Sequence, residues 1–271
     1  MLVFIHINKT AGRTVRYILR SSFGLRHCEV EPWRAPGTDP PFSTHDLQRL
    51  RRFYPNLESI GGHRVTGYVD LQENGTPFKY FTFMREPLKT CASRFQYNVQ
   101  YRRKKHLAFE EWIQRDWTRN HQTKRIAGVA DAAEAIRILQ TKHIFVGLTE
   151  RFDESMVLLK ALRANDLNIS YKRVNVARDN TLAESLLSKE SNRQNLIEAN
   201  QADLELYNFV RQEYYPAFQQ EYGPSLQADV AEYQQTRRNN FNDWNITLSR
   251  LKQYMLYKPL LYLYRKGVRV V

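Results

Sequence analysis

Apolar residues along the 271-residue chain fall into short strand-like runs and longer helical stripes. Leu2 to Ile7 is apolar throughout except for His6, the pattern of a short buried strand. A polar turn follows, Asn8 to Arg13, holding Gly12, and then Thr14 to Ser21 places Val15, Ile18 and Leu19 on one helical face. Thr44 to Phe53 has helical spacing, and Leu57 to Ile60 reads as a strand running into Gly61-Gly62-His63. Phe78 to Met84 is an aromatic-rich strand broken at Arg85-Glu86-Pro87, with Pro87 suited to the first turn of a helix reaching about Tyr101. Downstream the spacing predicts a helix over Ala132 to Leu139, a strand over His143 to Val146 and a helix over Asp153 to Arg163. Residues 181–222 and 240–257 are mostly helical in pattern. Glu31 to Pro41, with four prolines and a glycine, is a loop. No repeat and no linker divides the chain. The expectation is one α/β domain over residues 1–271, strands concentrated in the first half, with a helical C-terminal extension from about residue 224.

Composition narrows the partners. Lys and Arg total 41 against 28 Asp and Glu, a net charge of +13, which attracts anions without choosing among them. The 42% hydrophobic share and the 16 Tyr, 14 Phe and 4 Trp exclude a disordered polymer. Cys28 and Cys91 alone make no disulfide framework or zinc motif, consistent with a reducing compartment. There is no signal-peptide pattern at Met1 to His6 and no run of about 20 apolar residues. A soluble cytoplasmic protein is therefore expected.

Two segments carry phosphate chemistry. In Ile5 to Thr14, a strand, a Gly-bearing turn and a helix start follow one another, the arrangement that aims backbone N–H groups and the helix dipole at an anion. Lys9 adds a full charge, Thr10 and Thr14 add hydroxyls, and Gly12 without a Cβ lets an oxyanion approach the backbone. The lysine precedes the glycine, so this is not the GxxxxGK[ST] loop of common ATPases and GTPases. A plain turn with a surface lysine has the same local pattern. The second segment is Arg85 at the carboxyl end of a strand, where open α/β sheets bind ligands, with Ser93 two helical turns later.

Together these strings resemble the 5′-phosphosulfate loop and the 3′-phosphate motif of sulfotransferases that use 3′-phosphoadenosine 5′-phosphosulfate (PAPS). The likeness is to the carbohydrate branch that includes heparan sulfate 2-O-sulfotransferases. Gly62-His63, Asn120-His121-Gln122-Thr123, Phe145 to Phe152, Lys172 to Asn175, and Asp203 with Leu206-Tyr207 also fit that branch. The resemblance implies a P-loop-like sulfotransferase fold, a central and mostly parallel sheet flanked by helices. It implies that Lys9, Thr10, Gly12, Arg13 and Thr14 hold the 5′-phosphosulfate and that Arg85 and Ser93 hold the 3′-phosphate. PAPS is then the co-substrate, with no metal required. Lys9 also steadies the leaving phosphate, and His63, matching the branch's Gly-His string, is the base.

Among the seven histidines His121 is the runner-up base, and His6, inside the first strand, reads as core. The acceptor is expected to be a carbohydrate, with Arg64 and the run Arg102 to Lys105 available to an anionic one; that run also fits a solvated helix end. Leu251 to Val271 mixes tyrosines with Lys and Arg. That composition is read first as a tail packed on the domain; the alternative is a peripheral contact with a cytoplasmic membrane face, where the acceptor would be lipid-linked. The rival readings are a P-loop-type nucleotide kinase and a basic nucleic-acid-binding protein. No helix-turn-helix, RNP string or zinc pattern supports the latter, so nucleic acid is not an expected partner.

Overall fold

The computed structural model describes residues 1–33, 40–100, 107–172 and 181–268. Five strands form one parallel sheet in the order β2-β3-β1-β4-β5: β1 Leu2–Ile5, β2 His27–Glu29, β3 Ser59–Gly62, β4 Lys79–Met84 and β5 Phe145–Leu148. Every pairing is parallel. Such a sheet is covered on both faces, and its strands read as continuous apolar runs rather than alternating ones. All four residues of β1, β3 and β5 are buried, accordingly.

Fourteen helices surround the sheet among the described residues. The first seven are α1 Gly12–Phe23, α2 Thr44–Arg51, α3 Pro87–Gln100, α4 Phe109–Ile113, α5 His121–Ala127, α6 Ala132–Thr141 and α7 Phe152–Arg163. Then come α8 Thr181–Ser188, α9 Glu190–Ala199, α10 Gln201–Phe209, α11 Tyr215–Tyr222, α12 Leu226–Thr236, α13 Asp243–Lys252 and α14 Lys258–Arg265. The α1 stripe of Val15, Ile18 and Leu19 is buried as its spacing predicts. A second apolar cluster lies beside the main core. There Leu88, Cys91, Ala92 and Phe95 of α3 meet Phe109, Trp112 and Ile113 of α4, together with Ala183, Leu186, Leu196 and Ala199. Both cysteines are free and buried. Among the described residues no helix is long and apolar enough to cross a membrane.

Four elements differ from the pattern-based expectation. The strand predicted over Leu57 to Ile60 runs instead from Ser59 to Gly62, taking in both glycines, which pair with Phe4 and Ile5 of β1. The strand predicted to Ile7 stops at Ile5. The strand predicted over His143 to Val146 runs instead from Phe145 to Leu148, because His143 sits at φ 49°, a left-handed conformation that no strand residue adopts. β2 has no counterpart in the apolar pattern. It is an edge strand of three residues paired only with β3.

Candidate active site

The register of the sheet decides which residues meet. Ile5 of β1 pairs with Gly62 of β3 and with Thr82 of β4. β2 and β3 lie on one side of β1 and β4 on the other, so the connections change direction at the carboxyl end of β1, the place where open α/β sheets hold ligands. Asn8 to Gly12 leave the sheet at that point, His63 leaves beside them and Arg85 leaves from β4.

The first loop is tightly shaped. Lys9 (φ 68°) and Ala11 (φ 61°) are both left-handed, and such alternation along a turn makes a concave nest of backbone N–H groups. No side chain caps α1, and the Thr14 N–H bonds the Ala11 carbonyl at 2.9 Å, which leaves the Gly12 and Arg13 N–H groups as the open donors of the first turn. Thr10 is fully buried and its hydroxyl donates to the Ile7 carbonyl at 3.0 Å, so its proton closes the loop and is not directed at a ligand. Gly12 also has a different reason from the one its sequence suggests. A Cβ there would lie 1.9 Å from His6 Nε2, so the missing side chain makes room for the His6 ring. Thr14 is half-buried, and Arg13 is exposed at the mouth.

The two phosphate-type segments are contiguous. The Arg85 guanidinium donates to the Lys9 carbonyl at 3.4 Å. Burial lowers the Lys9 pKa, and the charges of Arg85 and then Arg13 lower it further. Among the described residues no carboxylate pairs with any of these three cations. The Lys9 ammonium lies 5.0 Å from the Tyr97 ring centroid. Tyr97 is one turn beyond Ser93, and both are half-buried on α3 away from the residues that enter the second cluster. Ser93 is thus on the helix face turned to Lys9.

Helix α5 joins the two loops. His121 donates from Nε2 to the Asn8 side-chain oxygen at 3.1 Å. Gln122 accepts from the Arg85 N–H at 3.1 Å and donates to the Arg85 carbonyl at 2.8 Å, a two-bond clamp. Thr123 and the start of α5 are held by buried Asp203, whose carboxylate takes the Gln122 N–H, the Thr123 N–H and the Thr123 hydroxyl at 2.7–3.0 Å. Asn120, also left-handed, binds the Ala202 N–H at 3.0 Å. Glu150 braces the other side, accepting the Glu86 N–H at 2.9 Å and the Tyr207 hydroxyl at 3.2 Å. The scattered strings around Asn120, Glu150, Asp203 and Tyr207 therefore come together as the scaffold of one pocket.

The histidines line its inner wall. Because Ile5 and Gly62 are in register, the next residues, His6 and His63, lie side by side, their rings stacked with centroids 3.9 Å apart. His6 is buried and stacks on Phe4 at 5.3 Å. His63 Nδ1 sits 3.2 Å from the His6 carbonyl. A carbonyl only accepts, so Nδ1 carries the proton and Nε2 keeps its lone pair. The His63 pKa is pushed down to about 4, chiefly by desolvation, with Arg125 and Arg16 adding and the bond to His6 opposing. His63 is open to solvent on one side, which works against a large shift; the crowded wall and the guanidinium groups set the downward direction. His121 is also held neutral by burial, but its Nε2–H is used on Asn8. That bond makes it a positioning residue for the loop. Among the described residues, no group of three or more His, Cys, Asp or Glu is placed to hold a metal.

Sequence reasoning missed Arg125. Its guanidinium is desolvated, with the pKa pushed down to about 10 by burial and then by Arg64, and it acts electrostatically on His63, His6 and His121. No side chain among the described residues pairs with it. Its only sequence signal is its place two residues after the Asn120-His121-Gln122-Thr123 string, within α5. Lys172 pairs with Asp243 at 2.8 Å, whereas Arg173 to Asn175 and the run Arg102 to Lys105 lie outside the described residues. A scan against models of known protein families finds none that matches this chain, and no curated protein matches it.

Proposed function

We propose that the protein moves a sulfuryl group from PAPS to a hydroxyl of a carbohydrate acceptor, on a P-loop-like sulfotransferase fold. The observation that carries this reading is the Arg85 contact with the Lys9 carbonyl. It brings two segments, 76 residues apart in sequence, into one cationic cluster that has no carboxylate partner among the described residues. Burial and the neighbouring charges of Arg85 and Arg13 lower the Lys9 pKa, and such a cluster of cations suits a ligand carrying several negative oxygens. PAPS, with phosphate groups at both ends of one ribose, has that charge pattern and supplies the sulfuryl group.

Lys9, Arg13, Thr14 and the loop N–H groups bind the 5′ end, and Arg85 and Ser93 the 3′-phosphate. Thr10 and Gly12 shape the loop from within. His63 Nε2 takes the acceptor proton as the acceptor oxygen bonds to sulfur, while the sulfur–oxygen bond to the phosphate breaks and its electron pair leaves with the phosphate. Lys9 and the loop N–H groups stabilise the negative charge that grows on that oxygen, the electrostatic part that dominates such sites. Arg125 pairs with an anionic group of the acceptor next to the reacting hydroxyl. Titration calorimetry tests the reading. Adenosine 3′,5′-bisphosphate binds tightly, and removal of its 3′-phosphate costs about tenfold or more in affinity, the loss of a charge-assisted contact to Arg85. Equal or tighter binding of ATP would favour a kinase, and binding of a short oligonucleotide in place of the bisphosphate a nucleic-acid-binding protein; either result sinks the proposal.

A further inference from the structure

From Asp243 to Arg265 the chain is one continuous helical rod, α13 and α14 joined through a π-helical turn at Gln253–Tyr257, about 35 Å long at 1.5 Å per residue. Its inner face is partly polar. The stripe that faces the protein is Ile246, Ser249, Gln253, Tyr257 and Leu261, with an amide and two hydroxyls among its five side chains. The reason is the edge of the sheet. Gln253 accepts the Glu29 N–H and donates to the Glu29 carbonyl, and the Tyr257 hydroxyl does the same for Glu31, so the rod satisfies backbone groups left open along and just after β2. The inner face is thus mixed, Ile246, Tyr257 and Leu261 packing beside the polar bonds, and the rod carries further large apolar residues outward. Trp244 is 69% exposed, Tyr254 58%, Met255 73% and Tyr262 62%, with Leu251 and Leu263 between and beside them.

Their spacing of three, four or seven along the helix puts them on one side. Eight of the twelve exposed large hydrophobic residues among the described ones fall between Trp244 and Val268. A water-facing helix surface does not ordinarily gather so much apolar area. The charge on the same segment has one sign. Residues 244–268 hold Arg250, Lys252, Lys258, Arg265 and Lys266 and no Asp or Glu. Lys258 and Arg265 share the Glu31 carboxylate, whereas among the described residues no carboxylate pairs with Arg250, Lys252 or Lys266. Arg49 of α2 extends the basic flank, its guanidinium 4.7 Å from the Tyr264 ring centroid.

We propose that this outer face of the α13–α14 rod is a docking surface for an anionic lipid membrane, the rod lying in the interface plane. Aromatic and aliphatic residues bury into the boundary between headgroups and acyl chains, while the basic flank meets acidic headgroups. The lack of any acidic residue from Trp244 onward is the charge complement of that surface. A second protein copy would bring the same unpaired cations against one another.

The full chain, sedimented with phosphatidylcholine vesicles with and without phosphatidylserine, tests this independently of any enzymatic activity. The expected result is pelleting with the anionic vesicles, weakened by high salt. Leu251→Asp with Met255→Asp reduces vesicle affinity about tenfold or more, since buried apolar area drives such binding. Both positions are exposed, so an unchanged melting temperature accompanies the loss. Arg250→Gln with Lys266→Gln gives a smaller drop that is confined to anionic vesicles. Absence of pelleting, equal pelleting with neutral vesicles, or unaltered binding by the Asp variant each overturns the proposal. So does a wild-type dimer in sedimentation that the Asp substitutions split, because a second copy would then occupy the face.

Discussion

Gly12→Ala separates two explanations of the phosphate loop. On the existing backbone the new carbon lies 1.9 Å from His6 Nε2, 2.1 Å from Cδ2 and 2.9 Å from Cε1. An ordinary carbon contact needs about 3.5 Å, so the ring or the loop must yield by roughly 1.6 Å. The ring has little freedom, being stacked on both Phe4 and His63, and any shift carries His63 with it. Overpacking of this kind costs about 1–3 kcal/mol. For a chain of this size each kcal/mol lowers Tm by roughly 2–4 °C. Denaturant unfolding of wild type, Gly12→Ala, His6→Ala and the double variant measures the coupling. The alanine at 12 is destabilising alone and much less so once the His6 ring is gone, giving an interaction energy of about 1–3 kcal/mol. If Gly12 instead serves only the approach of an anion, Gly12→Ala keeps its Tm, loses bisphosphate affinity, and gains nothing from His6→Ala. A coupling within about 0.5 kcal/mol of zero would refute the packing argument.

His63→Ala lowers kcat by about 10²–10⁴-fold with little change in bisphosphate affinity, and unchanged turnover removes it as the base. In the wild type the acidic limb of the rate profile falls below the ordinary imidazole value of about 6.5, because desolvation and the neighbouring guanidinium groups disfavour the His63 proton, and a limb at or above 6.5 would contradict this. Gln122→Ala deletes both bonds to the Arg85 backbone, so bisphosphate affinity drops about tenfold while His63 keeps its pH limb; unaltered affinity would show the clamp to be unimportant. Arg125→Gln raises the KM of an anionic acceptor about tenfold and leaves nucleotide binding alone, a split that a purely structural arginine would not give. Acid stability follows from four histidines whose pKa values are lowered on folding: His6 and His121 well down, His63 to about 4 and His27 to about 3. The unfolded chain binds their protons near pH 6.5, so their contribution is complete above that value and is lost as pH falls toward 4. A denaturation midpoint that stays flat from pH 7 to 5 would contradict this.

The elements with strong local patterns are legible in the sequence. β1, β4, α1, α2, α3 and α7 all follow from apolar periodicity and from Gly or Pro punctuation, and the segments carrying Lys9 and Arg85 can be placed on them. What escapes depends on contacts distant in sequence. β2 has three residues and exists because β3 lies next to it. α5 has seven residues, too few for a helical stripe to show, and its N-terminal N–H groups are satisfied by Asp203, some 80 positions away. Gly12 carries a purely local meaning in the sequence because nothing there places the His6 ring against it; only the parallel register of β1 with β3 and the sharp entry into α1 do. The mixed inner face of the α13–α14 rod shows in the sequence only as a mixture of tyrosine and lysine, since the edge strand that draws Gln253 and Tyr257 inward is 224 to 226 residues earlier.

One short segment connects these observations. His121, Gln122 and Thr123 are consecutive, and each makes a different attachment. The first holds the Lys9 loop through Asn8, the second holds Arg85, and the third is fixed by Asp203 of α10. The distance between the Lys9 and Arg85 loops is therefore set by α5, and the position of α5 is set by a buried carboxylate from the second half of the chain. Burial raises the Asp203 pKa, while the donors from Thr123 and Gln122 pull it back, so the carboxylate and its three bonds stand or fall together. A pocket assembled in this way has no independent N-terminal half. The strand, loop and helix that carry Lys9 form locally, but the arrangement that brings Arg85 against the Lys9 loop is a tertiary property.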